Sequence, residues 1–323
     1  MRLFVIGLSA ALVLSAAVRA AETERFPARP IRMVVPFAPG GTVDVIARLV
    51  SAKMSELAQQ QVVVDNRGGA GGVVGTDLVA HAVPDGYTLL LHSAALAYEP
   101  ALHTKLPYDA IKDLAPISVV GATPNLLVVH PQFAARTARD LVQLAKQKPG
   151  AITYGTGGIG SSSHLAVELF RNIAGVTFNH VPYKGAGPAL TELLGGQIDF
   201  MIATMPGAVT HVRSGRLRAI GISTLKRSPE LPEVPTIAES GVPGYEFVAW
   251  FGLLAPAGTA PARIGEIHAL LAQAVERPEL RTRLAAEGVD PQITTPKQFQ
   301  STLAAETVRW KKIIEAAGIK AAN

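Results

Sequence analysis

Two turns built from small residues constrain the fold of this chain more than any other feature. Pro36-Phe37-Ala38-Pro39-Gly40-Gly41-Thr42 and Gly155-Thr156-Gly157-Gly158-Ile159-Gly160-Ser161-Ser162 lie in separate halves, each after a strand-like run and before an amphipathic helical pattern. Glycines let the backbone turn tightly and approach a ligand. The helix that begins there aims unpaired N–H groups and the positive end of its dipole at whatever occupies the turn. One anion cradle is therefore written twice, and two facing cradles can grip one small anion.

The halves match beyond those turns. Ile31 to Pro36, a helix from Thr42 to Leu57, a strand Val62 to Asp65, a glycine loop Asn66 to Gly72, a helix and a strand Tyr87 to Leu91 make one series. Ile152 to Gly155, a helix from Ser162 to Ile173, a strand Phe178 to Val181, a loop Pro182 to Gly187, a helix and a strand Ile198 to Ile202 repeat it. Short β-branched strands alternating with helix-length patterns predict βαβ units and parallel sheets, with ligands at the carboxyl ends of the strands. The repeat is too long for a solenoid and reads as two similar α/β lobes.

With 323 residues, 48% hydrophobic and 17% charged, the chain has room for two globular domains. Arg2 opens an uncharged run from Leu3 to Val18, and Val18-Arg19-Ala20 offers small residues at cleavage spacing. This predicts an exported protein whose signal peptide, residues 1–20, is removed. The run is shorter than the roughly 20 residues a membrane span needs. Cleavage removes two of the 30 Lys and Arg, Arg2 and Arg19, so the formal charge of +5 falls to about +3. With no basic cluster interleaved with aromatics, nucleic acid is not an expected partner. The absence of cysteine excludes disulfides, Fe–S clusters and thiol catalysis.

Boundaries follow from where strands stop alternating with helices. Ala115 to Val120 and Leu126 to His130 read as two strands separated by Gly121 to Asn125, the second leading into the second lobe. Leu217 to Ser223 leads back out through a proline-punctuated stretch, Pro229 to Pro243. Val248 to Ala255 and helical patterns at Pro261 to Val275, Glu279 to Glu287 and Pro296 to Ala317 complete the first lobe. Two crossings make that domain discontinuous: 21–122 with 232–323, and 123–231 as the second.

Gly155-x-Gly157-x-x-Gly160 follows a strand and opens a helix, as a dinucleotide site requires, but the next strand ends Asn179-His180-Val181 without the acid that binds ribose. Ser161 or Ser162 with His164 would be the pair for an exported hydrolase, yet no G-x-S-x-G elbow is present. The other assignment makes a serine the helix cap and leaves His164 to touch ligand or pack in the first turn. The histidines show no metal-ligand spacing, so no metal or cofactor is expected. Trp250 and Phe251 are candidates for the cleft near the hinge or for apolar core, and Arg67 and Lys184 for cleft-edge cations or solvated loop positions.

Over nearly its whole length the mature chain resembles the Bug or TctC family of periplasmic solute-binding receptors, found in Bordetella-like bacteria. The resemblance is carried by Val35 to Asp44, Asn66 to Gly72, Pro84 to Leu90, Leu106-Pro107-Tyr108-Asp109, Tyr154 to Gly158, His180 to Gly185 and Trp250 to Thr259. It implies an α/β type II periplasmic-binding-protein fold, two lobes with mainly parallel central sheets joined by a two-crossing hinge. It further implies a non-enzymatic, monomeric receptor that closes on a small carboxylate, held largely by backbone groups and ordered waters, and delivers it to the membrane subunits of a tripartite tricarboxylate transporter. A ligand-presenting sensor subunit would have the same site.

Carried over by motif, the first loop supplies Phe37, Ala38, Pro39, Gly40, Gly41, Thr42 and Asp44, and the second Thr156, Gly157, Gly158, Gly160, Ser161, Ser162 and His164. Ser93, Ala94, Tyr183 and Thr204 complete the expected ligand contacts. Pro39 cannot donate and shapes the turn, while Gly40, Gly41 and Thr42 are expected to supply N–H groups. Two positions depart from the family pattern, where asparagine is usual: Ile159, which either favours an apolar ligand tail or points away, and Glu99, expected to be a solvated helix or loop residue.

Overall fold

A run of Ile, Met and Val can sit between two strands with both faces covered, and Ile31–Val35 does so as β1, with Ile31, Met33, Val34 and Val35 fully buried. The computed structural model describes residues 26–103 and 105–316; the expected leader over residues 1–20 lies outside the described residues. β1 pairs in parallel with β2 (Val62–Asn66) and β3 (Thr88–Ser93). Helices α1 (Thr42–Ala58) and α2 (Val73–Ala80) make the two crossovers, and the short α3 (Glu99–Leu102) follows β3.

Next comes β4 (Leu114–Val129), a single 16-residue strand where the sequence suggests two. Gly121 to Pro124, read as a connection, stay in the ladder opposite Phe251 to Val248. Glycine is required at 121 because a Cβ would lie 2.6 Å from Val289 Cγ1. Register shifts at Pro116/Ser118 and Val119/Gly121 bend the strand, as bulges do.

The second lobe repeats the first arrangement. After α4 (Ala138–Gln147), started by a Thr137/Asp140 capping box, β5 (Thr153–Thr156) pairs in parallel with β6 (Asn179–Pro182) and β7 (Phe200–Thr204). α5 (Ser162–Ala174) and α6 (Ala186–Leu194) are its crossovers, and α7 (Met205–Arg213) leads to β8 (Arg218–Ile222). β9 (Val248–Pro256), α8 (Pro261–Glu276), α9 (Pro278–Ala286), β10 (Asp290–Pro291) and α10 (Pro296–Ala316) return to the first lobe. The strand order is β2-β1-β3-β9-β4-β7-β5-β6, with β8 and β10 also paired to β4. Both lobes thus have parallel strands at their centres, while β4 pairs antiparallel in both sheets and joins them.

Trp250 is core, packed edge to face on Phe299 at 5.3 Å. Among the described residues, no helix is long and apolar enough to cross a membrane.

Beneath the second glycine turn three rings stack. Tyr154 lies 4.7 Å from His180, and His180 lies 4.4 Å from His164, with interplanar angles of 14° and 11°. Burial lowers both imidazoles from 6.5 to about 4, helped for His164 by Arg171 and for His180 by His164. The folded protein therefore keeps them neutral where the unfolded chain takes up protons. Stability from this source is complete above the unfolded value of 6.5 and is lost as pH falls toward about 4. At pH 5 the loss from His164 alone is on the order of 2 kcal/mol. Urea unfolding at pH 7 and pH 5 checks this: a His164→Asn, His180→Asn variant should show the smaller difference.

Candidate functional site

α1 begins at Gly41, which offers no side-chain cap, so the first-turn N–H groups of Thr42 and Val43 have no partner within the helix. α5 begins at Ser161, whose Oγ accepts from the His164 N–H at 3.3 Å and leaves the N–H groups of Ser162 and Ser163 free of the cap. The two starts meet at a cavity of about 50 Å³ between the lobes. Its wall also takes in Ser93 before a 3-10 turn, Ala186 at the uncapped start of α6 and Thr204 before the uncapped α7. Several helix starts point their dipoles at one place, and among the described residues no Lys, Arg or His lines it. Such a cavity favours an anion held by backbone donors.

The lobes are in contact around it. The Thr42 and Thr204 hydroxyls hydrogen-bond across the cleft, and Ser162 Oγ donates to Ser93 Oγ at 3.4 Å. Gly71 has φ +73°, and a Cβ there would fall 2.2 Å from the Ile159 carbonyl oxygen. This is a closed cleft. A second cavity of about 220 Å³ adjoins the first through Phe37 and Gly157 and is walled by Gly69 to Gly72, His103, Ile159, Tyr183 and Lys184.

Of the residues expected from sequence, Phe37, Gly41, Thr42, Ser93, Gly157, Ser161, Ser162 and Thr204 line the inner cavity. Gly158 and Tyr183 line the outer one. Ala38 packs where a Cβ on Gly185 would come within 3.0 Å of it, Ala94 is buried behind Ser93, and Pro39 is exposed.

Several expected donors are already engaged. The Gly40 N–H, expected to face the ligand, donates to Asp44 Oδ2 at 3.0 Å. Asp44 accepts also from Arg48 and Asn66 and so braces the turn from behind. Burial acts to raise its pKa, but the bonds from Arg48, Gly40 and Asn66 prevail and hold it below the usual carboxylate value. In the second loop the N–H groups of Gly157, Gly158 and Gly160 donate to Ser163 Oγ, Thr156 Oγ1 and His164 Nδ1 at 3.0, 3.2 and 3.2 Å. Thr156 Oγ1 also bonds His180 Nε2 at 2.7 Å. These glycines shape the loop, and the free donors lie one turn later, at Ser162 and Ser163.

His164 does not pair with a serine. Its Nδ1 takes the Gly160 N–H and its ring stacks on His180, while Ser161 Oγ donates to the Gly158 carbonyl. A hydrolytic nucleophile and base are thus not brought together at this loop. No group of three His, Cys, Asp or Glu among the described residues could hold a metal ion. Sequence reasoning missed Val43, Ser163, Ala186 and Ala203 as lining residues; Ser163 continues the serine run already singled out. Phe251, from β9, does line the cleft. Arg67 pairs with Asp65 at 3.0 Å, and Lys184 is an exposed residue of the outer rim. Glu99, expected to be solvated, is 1% exposed because His92 and Tyr108 give it polar partners inside the lobe.

The match to known proteins is extensive. Residues 46–319 match the model of the tripartite tricarboxylate transporter family receptor, TctC. Protein BugT of Bordetella pertussis is 41% identical over 320 residues, 98% of each chain. Among solved structures, Rpa4515 of R. palustris with adipate superposes with a TM-score of 0.88 at 35% identity, covering 91% of this chain and 98% of that one. MatC of Rhodopseudomonas palustris with bound malate gives a TM-score of 0.86 at 33% identity, covering 90% and 100%. The pair of α/β lobes is accordingly the periplasmic-binding-protein fold that the motifs imply, and the chain belongs to the TctC/Bug family of periplasmic solute-binding receptors.

Proposed function

We propose that this protein captures a small organic acid in the interlobe cleft and presents it to the membrane subunits of a tripartite tricarboxylate transporter. The observation that carries the reading is the meeting of two helix starts, α1 and α5, across a cation-free cavity. A carboxylate there accepts from Thr42 and Val43 on one lobe and Ser162 and Ser163 on the other, while the remainder extends past Phe37 into the outer cavity. Adipate and malate in similar proteins agree in size and charge with such a ligand. Only the closed cleft offers both sets of donors, so the ligand binds the closed state better and shifts the population toward it.

The hinge in this reading has one crossing in β4 between Ala122 and Asn125. The other lies at Phe247/Val248, later than the 231/232 expected from sequence. Ser240 accepts from the Arg139 N–H and Tyr245 donates to the Ala166 carbonyl, both at 2.9 Å, which favours keeping the intervening segment with the second lobe. The protein works in the periplasm after loss of residues 1–20, and the intact mass of the exported form should correspond to a start near Ala21.

Titration calorimetry against acetate, succinate, adipate, malate, glutamate and benzoate, with mass spectrometry of acids released from the native protein, tests the central claim. One-to-one binding of at least one carboxylate without its conversion is expected; no binding, or steady turnover, refutes it. A Cβ at Gly157 would sit 3.1 Å from the Ala186 backbone nitrogen. Gly157→Val should weaken binding of that acid at least about tenfold, roughly 1.4 kcal/mol, and small-angle scattering should show it staying extended where wild type compacts. Arg67→Ala, whose guanidinium serves Asp65, should bind within about threefold of wild type, under roughly 0.7 kcal/mol.

A further inference from the structure

Three separate loops of the first lobe wall the cleft, those carrying Phe37, Gly72 and Ser93, and all three touch one buried polar pair. His92 is 0% exposed and Glu99 1%. His92 Nδ1 lies 2.8 Å from the Ser93 carbonyl oxygen, an atom that can only accept, so Nδ1 carries a proton. His92 Nε2 lies 3.3 Å from Glu99 Oε1, and neither atom has another polar partner. Glu99 Oε2 accepts from the Tyr108 hydroxyl. Burial, reinforced by Glu99, pushes the Tyr108 pKa far up, so that hydroxyl remains a donor. Gly72 has φ +127°, and a Cβ there would lie 3.0 Å from both Glu99 Oε1 and His92 Nε2. The Phe37 ring meets the His92 ring edge to face at 5.4 Å.

An unprotonated Nε2 facing an ionised Oε1 would set lone pair against lone pair where no water reaches, and an unpaired buried carboxylate costs several kcal/mol. We propose that His92 and Glu99 share one proton and act as a net-neutral positioning pair, which holds the first lobe's wall of the cleft and keeps the buried acid from repelling a bound anion. The other ionisable groups near the pair are Tyr108 and, on α2, Asp77, which acts on Tyr108 and itself pairs with His81 at 3.1 Å. The protection of a bound anion and its affinity measurement rest on the carboxylate reading of the cleft; the shared proton does not.

Nitrogen-15 NMR of the wild-type protein reads the pair without any ligand. At neutral pH the His92 Nε2 signal should be that of a nitrogen bonded to a proton, or hydrogen-bonded to one on Glu99, and not that of a free lone pair. A free-lone-pair signal at Nε2 would overturn the shared proton. Calorimetry with adipate reads the consequence. His92→Phe leaves Glu99 a buried acid without its partner, so its adipate affinity at neutral pH should fall at least about tenfold below wild type. Adding Glu99→Gln removes the acid and should restore affinity to within about threefold of wild type. Unchanged affinity in His92→Phe, or a loss that persists in the double variant, counts against neutralisation. Glu99→Gln alone offers an amide N–H to His92 and an amide oxygen to Tyr108, and should bind within about threefold of wild type. A larger loss counts against the pair, and this variant serves if His92→Phe does not fold. Failure of wild type to bind any acid of the panel refutes the carboxylate reading, while the ring measurement still decides the shared proton.

Discussion

Backbone N–H groups removed from water need acceptors, and this requirement is most severe where α1 and α5 begin. Thr42, Val43, Ser162 and Ser163 bring first-turn donors to one small cavity between the lobes. An occupant that accepts hydrogen bonds and carries negative charge matches donors and helix dipoles together. Phe37 and Phe251 make part of the cavity wall apolar, and hydrogen bonds formed beside apolar surface are stronger than in water. What the wall offers is backbone geometry rather than any one charged side chain.

That geometry depends on the strands behind it. Because β4 pairs with β9 in one sheet and with β7 and β8 in the other, the two lobes share a continuous hydrogen-bonded element instead of a loose linker. Glycine makes the opposition of the loops possible where backbones nearly touch, as at Gly71 against Ile159 and Gly185 against Ala38. Asp44 and His164 support the two turns from behind, each accepting a loop glycine N–H.

Glu99 illustrates how a residue's meaning is set by its neighbours. Read along the chain, an acid beside Pro100 suggests solvent, since unpaired glutamate is almost never fully buried. In the fold it meets His92 from the end of β3 and Tyr108 from the segment before β4, and the condition "unpaired" no longer applies.

The sequence by itself determined the two-lobed α/β repeat, the position of nearly every central strand, and both turns of the cleft, because these follow from short-range rules: β-branched runs, glycine-rich turns and helix starts. Its motifs also carried the family. The tertiary structure decided matters that depend on partners distant along the chain. It made Gly121 to Pro124 strand because β9 lies alongside, and committed the Gly40 N–H to Asp44, already placed on α1. It moved the free donors of the second loop from the glycines to Ser162 and Ser163, because Ser163, Thr156 and His164 side chains satisfy the glycines first. Phe251 and Ala186 enter the cleft only when β9 and α6 are packed beside it. Local sequence specifies which backbone can form; which of its donors stays free is set by the side chains that folding brings near.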